Sequence, residues 1–231
     1  MIEKVVRFNR VTSTQDKAKE FVADRHPIAV VASSQEKGRG RQGRNWFSPE
    51  GGLYLSLLLF PKERVTSIPL LASLSVIRTL EHLGLSDLSI HWPNDVLLKK
   101  RKVCGVVCER YQSAVICGVG LNVNVETFAP RLDGATSLKV ETGQVFGVDE
   151  ILDLFLDKFN ELYEELQSKG LKIKEVLNYI SGLGESVEVV TKRGVIRGTV
   201  SDIDDDWALL LRDESGIIKK FYYGDVRRLQ W

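Results

Sequence analysis

The sequence predicts an α+β chain, in which a mixed sheet with packed helices is followed by a small β-barrel. Three observations carry that expectation. Strand-like segments crowd together between Leu88 and Val123 with only short polar or Asn-Asp turns between them, which reads as hairpins in a mixed sheet and not as a strict alternation of strand and helix. Two stretches, 67–83 and 149–166, carry apolar residues at helical spacing. Around Ser181 to Glu185 the chain changes character, and from Val187 onward four or five short strands follow one another through KRG, DIDDD and RDESG turns. The expected domains are therefore 1–182 and 185–231. The second, about 45 residues, is near the size at which an isolated core is marginal, so it should pack on the first.

Taken in order, a short strand is expected around Val5 to Phe8, then a helix through STQDKAKEFVADR. There Ser13, with Asp16 three residues on, resembles a capping box, and Ala18, Phe21 and Val22 supply an apolar face. Ile28 to Ser33 is β-branched and small, a buried strand. A loop follows, SQEKGRGRQGRNWFSPEGG, and then a strong strand at Leu53 to Phe60. The helix over 67–83 tolerates Pro69 near its start and should end at Gly84. Strands are expected at Leu88 to Trp92, Val96 to Lys99, Val103 to Arg110 and Ser113 to Val123. The helix over 149–166 has Ile151, Leu152, Phe155, Phe159, Leu162 and Leu166 on one stripe with Gly170 beyond it, and a shorter helix spans Lys172 to Ile180.

Composition narrows the functional classes. The chain has 231 residues, and 32 Lys plus Arg face 31 Asp plus Glu for a net charge of +1, so no global field favours nucleic acid or an anionic membrane. Any cationic site must be local. Cys104, Cys108 and Cys117 are too few for a disulfide framework and lack the spacing of a zinc site. MIEKVVRFNR has no apolar core of a signal peptide, and LYLSLLLF is too short to cross a bilayer, so a soluble cytoplasmic protein is expected.

Three segments carry polar chemistry. Gly38 to Gly43 reads GRGRQG and matches the bare GxGxxG pattern, but two arginines and a glutamine intervene and RNWFSP is a poor helix start, so a dinucleotide site is not supported. No GxxxxGK[ST] loop exists. What the loop does offer is Arg39, Arg41 and Arg44, planar bidentate donors suited to carboxylate or phosphate, among glycines that let the backbone fold tightly. It is either a cationic flap over an anionic reactant or a solvated basic turn. In HWPNDVLLKKRKVCGVV, Asn94 and Asp95 are placed to present an amide and a carboxylate at a turn, or simply to make the turn, and Lys102 lies either at a hairpin tip or at the mouth of the sheet. In CGVGLNVNV, Gly118 and Gly120 permit close approach, while Asn122 and Asn124 share one face of a strand and either bridge loops or read a ligand's polar edge.

Taken together, GRGRQGRNWFSP, GGLYLSLLL, WPNDVLL, RKVCGVVCE and GVGLNVN resemble the biotin protein ligases, in order over roughly Ser13 to Asn124, with weaker similarity at GATSLK and in the C-terminal strands. Lipoate ligases share the general fold but lack this combination. The resemblance implies an α+β domain related to the class II aminoacyl-tRNA synthetases, followed by an SH3-like barrel. It also implies two reactions: biotin and MgATP give biotinyl-5'-AMP and pyrophosphate, and the acyl group then passes to a lysine of a biotin carboxyl carrier protein. Some family members carry an N-terminal helix-turn-helix domain that represses biotin operons; Ser13 lies so near Met1 that none is expected here. A homodimer formed edge to edge through the catalytic sheets is implied, with neither nucleic acid nor membrane as partner.

Residue by residue, the resemblance puts Ser13, Thr14, Gln35 and Arg41 around the biotin rings, with Gly51, Gly52, Leu53, Lys102 and Gly105 completing that site. Leu53 to Leu55 would line an apolar wall. Arg39 and Lys102 are the expected catalytic cations over the reacting carboxylate and phosphate. Arg39, Arg41, Arg44, Trp46, Asn94, Lys102 and Asn122 are implied for the nucleotide, Trp46 against adenine and Asn122 near its polar edge; Mg²⁺ ligands are left unassigned. The family usually carries lysine before WPND, whereas this chain has His91, which offers phosphate a weaker or pH-dependent contact. The rival readings are a lipoate ligase, whose site needs only an apolar slot, and a nucleic-acid binder, which requires strongly salt-dependent binding.

Overall fold

Every residue of Leu53–Leu59 and of Ala114–Leu121 is buried, so these two strands must be covered on both faces. The computed structural model, which describes residues 1–61, 65–129, 132, 134–168, 173–191, 194–222 and 225–228, places them side by side in the middle of a seven-stranded sheet. The strands are β1 (Lys4–Val11), β2 (Ile28–Gln35), β3 (Leu53–Leu59), β4 (Leu88–His91), β5 (Asp95–Leu98), β6 (Arg101–Tyr111) and β7 (Ala114–Leu121), in spatial order β1-β2-β3-β7-β6-β5-β4. Only β1 and β2 run parallel; every other pair is antiparallel, as hairpins require.

The two-residue period of β3 sorts its side chains. Leu53, Leu55, Leu57 and Leu59 enter the main core, where α2 (Ile68–His82) packs against α4 (Val148–Ser168). Leu58 instead joins Ala18, Val22, Ile28, Val30 and Ile116 beneath α1 (Thr14–Lys19). Helix α2 is buried nearly all round, and its hydroxyls are satisfied by the helix itself: Ser73, Ser75 and Thr79 each donate to the carbonyl four residues back. Pro69 occupies its first turn, and it ends in a Schellman motif, with Gly84 at φ +80 and bonds from Gly84 N to Glu81 O and from Leu85 N to Leu80 O. Asn160 of α4 brackets the backbone of Ile2 through both its amide atoms, tying down the start of the chain.

Two elements depart from the sequence reading. The first helix is six residues long, and after it the chain makes a 3-10 turn at Val22–Asp24 and reverses through Arg25 at φ 53. Ser13 does cap it, accepting from Gln15 N, but Asp16 does not close a capping box: its carboxylate turns outward to Lys19 and Arg39. The other is α3 (Leu138–Thr142), unforeseen because it is one turn long, capped by Ser137 and closed by Gly143 at φ 74. Residues 169–172, including Gly170 and Lys172 at the edge of the expected short helix, lie outside the described residues; α5 covers Ile173–Leu177.

After α5 the chain is pinned to β4 by bonds from Ile90 N to Tyr179 O and from Ser181 N to Ile90 O. The C-terminal strands β8 (Ser186–Thr191), β9 (Gly194–Ile203), β10 (Leu209–Arg212), β11 (Ile218–Phe221) and β12 (Asp225–Arg228) form an antiparallel sheet in the order β11-β10-β9-β8-β12. The expected barrel is thus an open sheet among the described residues: the outer strands, four residues each, pair only inward. Its turns are built as the sequence suggests. Asp213 accepts from the backbone of Ser215 and Ile217, and with hydrogen bonds from the Ser215 hydroxyl and Lys219 its carboxyl is held well below the usual carboxylate range.

Candidate active site

A cavity of about 470 Å³, within the usual size of a small-molecule site, lies among α1, the arginine-glycine loop and the central strands β3, β6 and β7. Its floor follows from three glycines. In the β6 and β7 ladder Gly105 stands opposite Gly120, and Gly118 opposite Val107, so side chains are missing where one face would otherwise be filled. Gln15 lies over Gly118, and Trp46 occupies the space over the other two: a Cβ added to Gly120 would lie 2.4 Å from its indole nitrogen, and one added to Gly105 would lie 2.7 Å from its benzo edge. The Trp46 Nε1–H is buried and has no hydrogen-bond partner among the described residues.

At one end of the cavity the polar groups are interlocked. The Thr14 backbone N–H donates to Gln35 Oε1 at 2.8 Å, and its hydroxyl lies 3.1 Å from the same oxygen and 2.8 Å from the Ser56 hydroxyl. Gln35 in turn donates to Ser48. The parallel pairing of β1 with β2 sets Val11 against Gln35, which places the start of α1 beside the end of β2. Ser56, the one serine in the LYLSLLL strand, escaped the sequence reading, although an aliphatic hydroxyl inside a two-sided apolar run is itself a signal of an internal hydrogen bond.

The arginine-glycine loop is a folded hairpin. Trp46 N donates to Gly38 O at 2.8 Å and Gly40 N to Arg44 O at 2.7 Å, with a 3-10 turn at Arg41–Gly43 as its tip. Gly38 is required by contact: a Cβ there would stand 2.5 Å from Trp46 O. The loop leads into a strand, so GRGRQG opens no nucleotide-binding helix. Its cations face protein oxygens. Arg39 pairs with Asp16 at 2.6 Å, Arg41 donates to Asn94 Oδ1 at 2.8 Å, and Arg44 returns to Arg41 O.

Opposite the loop, Lys102 pairs with Asp95 at 2.6 Å and its ammonium sits 5.3 Å from the centre of the Trp46 ring. Lys102 is not at the hairpin tip. Lys99 and Lys100, at φ 49 and 66, make the turn, and a register shift beside Val96 and Leu97 sets Lys102 at the cavity. Asn94 follows a cis Trp92-Pro93 bond and is 8% exposed; its amide donates to Val106 O and Asp95. The two asparagines after β7 separate in role. Asn124 clasps both backbone atoms of Phe146 and is structural, whereas Asn122 lines the cavity and donates to Thr136 O.

The cavity thus gathers Thr14, Gln35, Arg39, Arg41, Arg44, Trp46, Asn94, Lys102, Gly105 and Asn122. Four expected site residues do not line it. Ser13 is spent on the cap, Leu53 points into the main core, Gly51 packs against Asn124, and Gly52 lies under the Tyr54 ring. Leu55 alone of the leucine wall reaches the cavity. Phe128, Leu132 and Val226 were not foreseen in its lining, since each arrives from a distant part of the chain with no motif around it; Ala135, inside GATSLK, joins them there. His91, beside them, is hydrogen-bonded through Nε2 to Val226 O of β12 at 2.9 Å, joining the rim to the C-terminal sheet.

Comparison with known proteins agrees with this geometry. Residues 5–125 match the Biotin/lipoate A/B protein ligase family, and residues 182–228 match the Biotin protein ligase C terminal domain. The chain belongs to that ligase family. It is 33% identical to the Bifunctional ligase/repressor BirA of Bacillus spizizenii, over 94% of this chain and 71% of that one. It is also 34% identical to the Biotin--[acetyl-CoA-carboxylase] ligase of Paracoccus denitrificans, over 81% and 85%. The solved biotin protein ligase of Aquifex aeolicus in complex with biotin and ATP superposes with a TM-score of 0.91 at 34% identity, covering 99% of this chain and all of that one. Within the family, then, the chain is a biotin protein ligase, an enzyme. No helix among the described residues is long and apolar enough to cross a membrane.

Proposed function

We propose that the enzyme activates biotin as biotinyl-5'-AMP and transfers it to a specific lysine of a biotin carboxyl carrier protein. The observation that carries this reading is one cavity with a hydrogen-bonding end at Thr14 and Gln35, a glycine floor, and four cations in its lining, Arg39, Arg41, Arg44 and Lys102. The first end suits the donors and acceptors of a ureido ring, and the cations suit a carboxylate attacking a polyphosphate. Both reactants are anionic, so their approach is opposed until fixed positive groups offset it. Groups already held in place spend no reorganisation energy at the moment of reaction.

The protein's own oxygens hold these cations in readiness. Asp16 holds Arg39 and Asp95 holds Lys102, each at 2.6 Å, while Asn94 holds Arg41. Bound phosphate and carboxylate oxygens exchange for those partners, which makes binding a swap of ion pairs at Arg39 and Lys102 and of a hydrogen bond at Arg41, not the desolvation of bare charge. In this reading Arg39 and Lys102 act on the reacting oxygens. Trp46 meets the adenine, with Asn122 near its polar edge and Arg44 by the phosphates. Ser13, Gly51, Gly52 and Leu53 shape the biotin site from behind. Mg²⁺ arrives on ATP: among the described residues no three acidic, His or Cys side chains cluster, and magnesium commonly takes substrate phosphates with one or two carboxylates. A homodimer joined through the catalytic sheets and a cytoplasmic setting complete the reading.

The test is pyrophosphate release with MgATP and no carrier. Release with biotin, together with a retained biotinyl-adenylate, is the expected result. Release with lipoate alone moves the enzyme to the sister activity, and release with neither removes the ligase reading.

A further inference from the structure

Glu141, in α3, is 10% exposed at its side chain and has no part in the chemistry above. Its Oε1 accepts from the Thr136 hydroxyl at 2.6 Å and from Arg101 Nη1 at 3.0 Å, and its backbone carbonyl accepts from Lys99 Nζ at 3.0 Å. Arg101 donates again, to Ala135 O at 2.8 Å. One residue thereby joins the turn between β5 and β6 to the segment 134–136. That segment lies outside the named strands, and it meets β6 through a single bridge, Ala135 beside Lys102. The bridge closes on Lys102 from both sides: Lys102 N donates to Gly134 O and Thr136 N donates to Lys102 O, each at 2.8 Å. Thr136 O accepts from Asn122 Nδ2 at 2.9 Å, so the side chain of Asn122 is held by the same segment.

We propose that Glu141 is a positioning residue for the activation of biotin, setting Lys102 and Asn122 through Thr136; this rests on the reading above that Lys102 acts on the reacting oxygens. A lysine ammonium rides on a flexible four-carbon stem, so where it points depends on how its Cα is fixed. On the β5 side that anchorage is weak, because the ladder slips its register between Val96 and Leu97, and Leu97 is the partner of Lys102. Segment 134–136 supplies the missing edge. Its own hold comes chiefly from the Thr136 bond, since Thr136 is fully buried and a hydroxyl donating to a carboxylate makes a strong hydrogen bond. The ion pairs weigh less, because the Lys99 and Arg101 side chains are 53% and 45% exposed. Ala135 and Asn122 line the cavity together with Lys102. A small shift of 134–136 therefore moves both the ammonium that meets the reacting oxygens and the amide that meets the nucleotide. The Thr14 and Gln35 end, tied to Ser56 of β3, stays where it was.

Glu141→Leu and Thr136→Val are the two variants, the second of the same shape as the residue it replaces, so that the fold is kept. Each is expected to lower kcat for biotin-dependent pyrophosphate release by about 10-fold and to raise KM for ATP, while KM for biotin stays at its wild-type value. Thr136→Ser, which keeps the hydroxyl, should restore both. A cycle with Lys102→Met gives the readout that a merely supporting role would not move. In that background Thr136→Val should cost less than about 2-fold in kcat, because the ammonium it would misplace is gone. An equal fold-loss in both backgrounds would overturn the positioning role, and so would wild-type kcat and ATP KM in both Glu141→Leu and Thr136→Val. No biotin-dependent release from the wild-type enzyme would instead remove the activation reading, and a Lys102→Met enzyme at the wild-type rate would remove the assignment of Lys102 to the reacting oxygens; the role of Glu141 falls with either.

Discussion

Lys102→Met tests the electrostatic account most directly. At about 4 Å and an effective dielectric near 20, one ammonium attracts one developing negative charge by about 4 kcal/mol. The Lys102 side chain is 34% exposed, so solvent screening takes roughly half of that. About 2 kcal/mol remains, equivalent to about 30-fold in kcat/KM for pyrophosphate release. The fold should hardly notice. The resting pair with Asp95 is partly exposed and contributes at most about 1 kcal/mol, a fall of about 2 to 4 °C in Tm for a chain of this size. Steady-state pyrophosphate release gives the first number and a thermal melt the second. Asp95→Asn supplies the control of opposite sense, because it removes the oxygen that competes with substrate for Lys102 and should leave release unchanged or faster. Wild-type release in Lys102→Met would refute the reasoning, and so would a loss in Asp95→Asn as large as that in Lys102→Met, since the pair would then act only as scaffold.

Gly120→Ala pushes a methyl to within 2.4 Å of the Trp46 ring, so the indole must leave the floor; the expected cost is about 1 to 3 kcal/mol, read as a lower Tm and a changed Trp46 emission against a Trp46→Phe background. Thr14→Val strips the buried Ser56 hydroxyl and Gln35 of a partner, which should cost about 1 to 3 kcal/mol of stability and raise KM for biotin more than KM for ATP, measured by denaturant titration and pyrophosphate release. Hydrogen bonding to Glu109 raises the Lys19 pKa above its ordinary 10.5, so this contribution is complete below pH 10.5 and is lost as pH climbs through the raised folded value. Urea midpoints at pH about 9 and about 11 should therefore converge between wild type and Lys19→Met at the higher pH.

The large elements were legible because their patterns are long: the leucine strand at β3, the apolar stripe of α4, and a helix over 68–82 closed by Gly84. Short elements were not. One-turn α3 is fixed by Ser137 and by the bond from Leu138 N to Asn122 O, which no window along the chain contains. Asp16 looked like a cap because Ser13 stood three residues before it, but a cation 23 residues onward, Arg39, holds its carboxylate instead. The site divides in the same manner. Residues inside motifs, such as Arg41 and Trp46, could be named from the sequence, whereas Val226 and Leu132 join the rim only through folding.

The hairpin beneath the cavity has a bearing on how the enzyme acquires function as it folds. Strands β6 and β7 are joined by two residues, Gln112 and Ser113, so Gly105 and Gly120 meet at little loop-closure cost. The groups above them come from far along the chain: Thr14 must find Ser56, and Arg41 must find Asn94, 53 residues away. Contacts of low sequence separation are gained first and distant ones later, which orders assembly from the base of the cavity to its mouth. During refolding, buried-core signals should therefore recover before ligand binding does, and a newly made chain passes through a stage with a finished platform but no affinity.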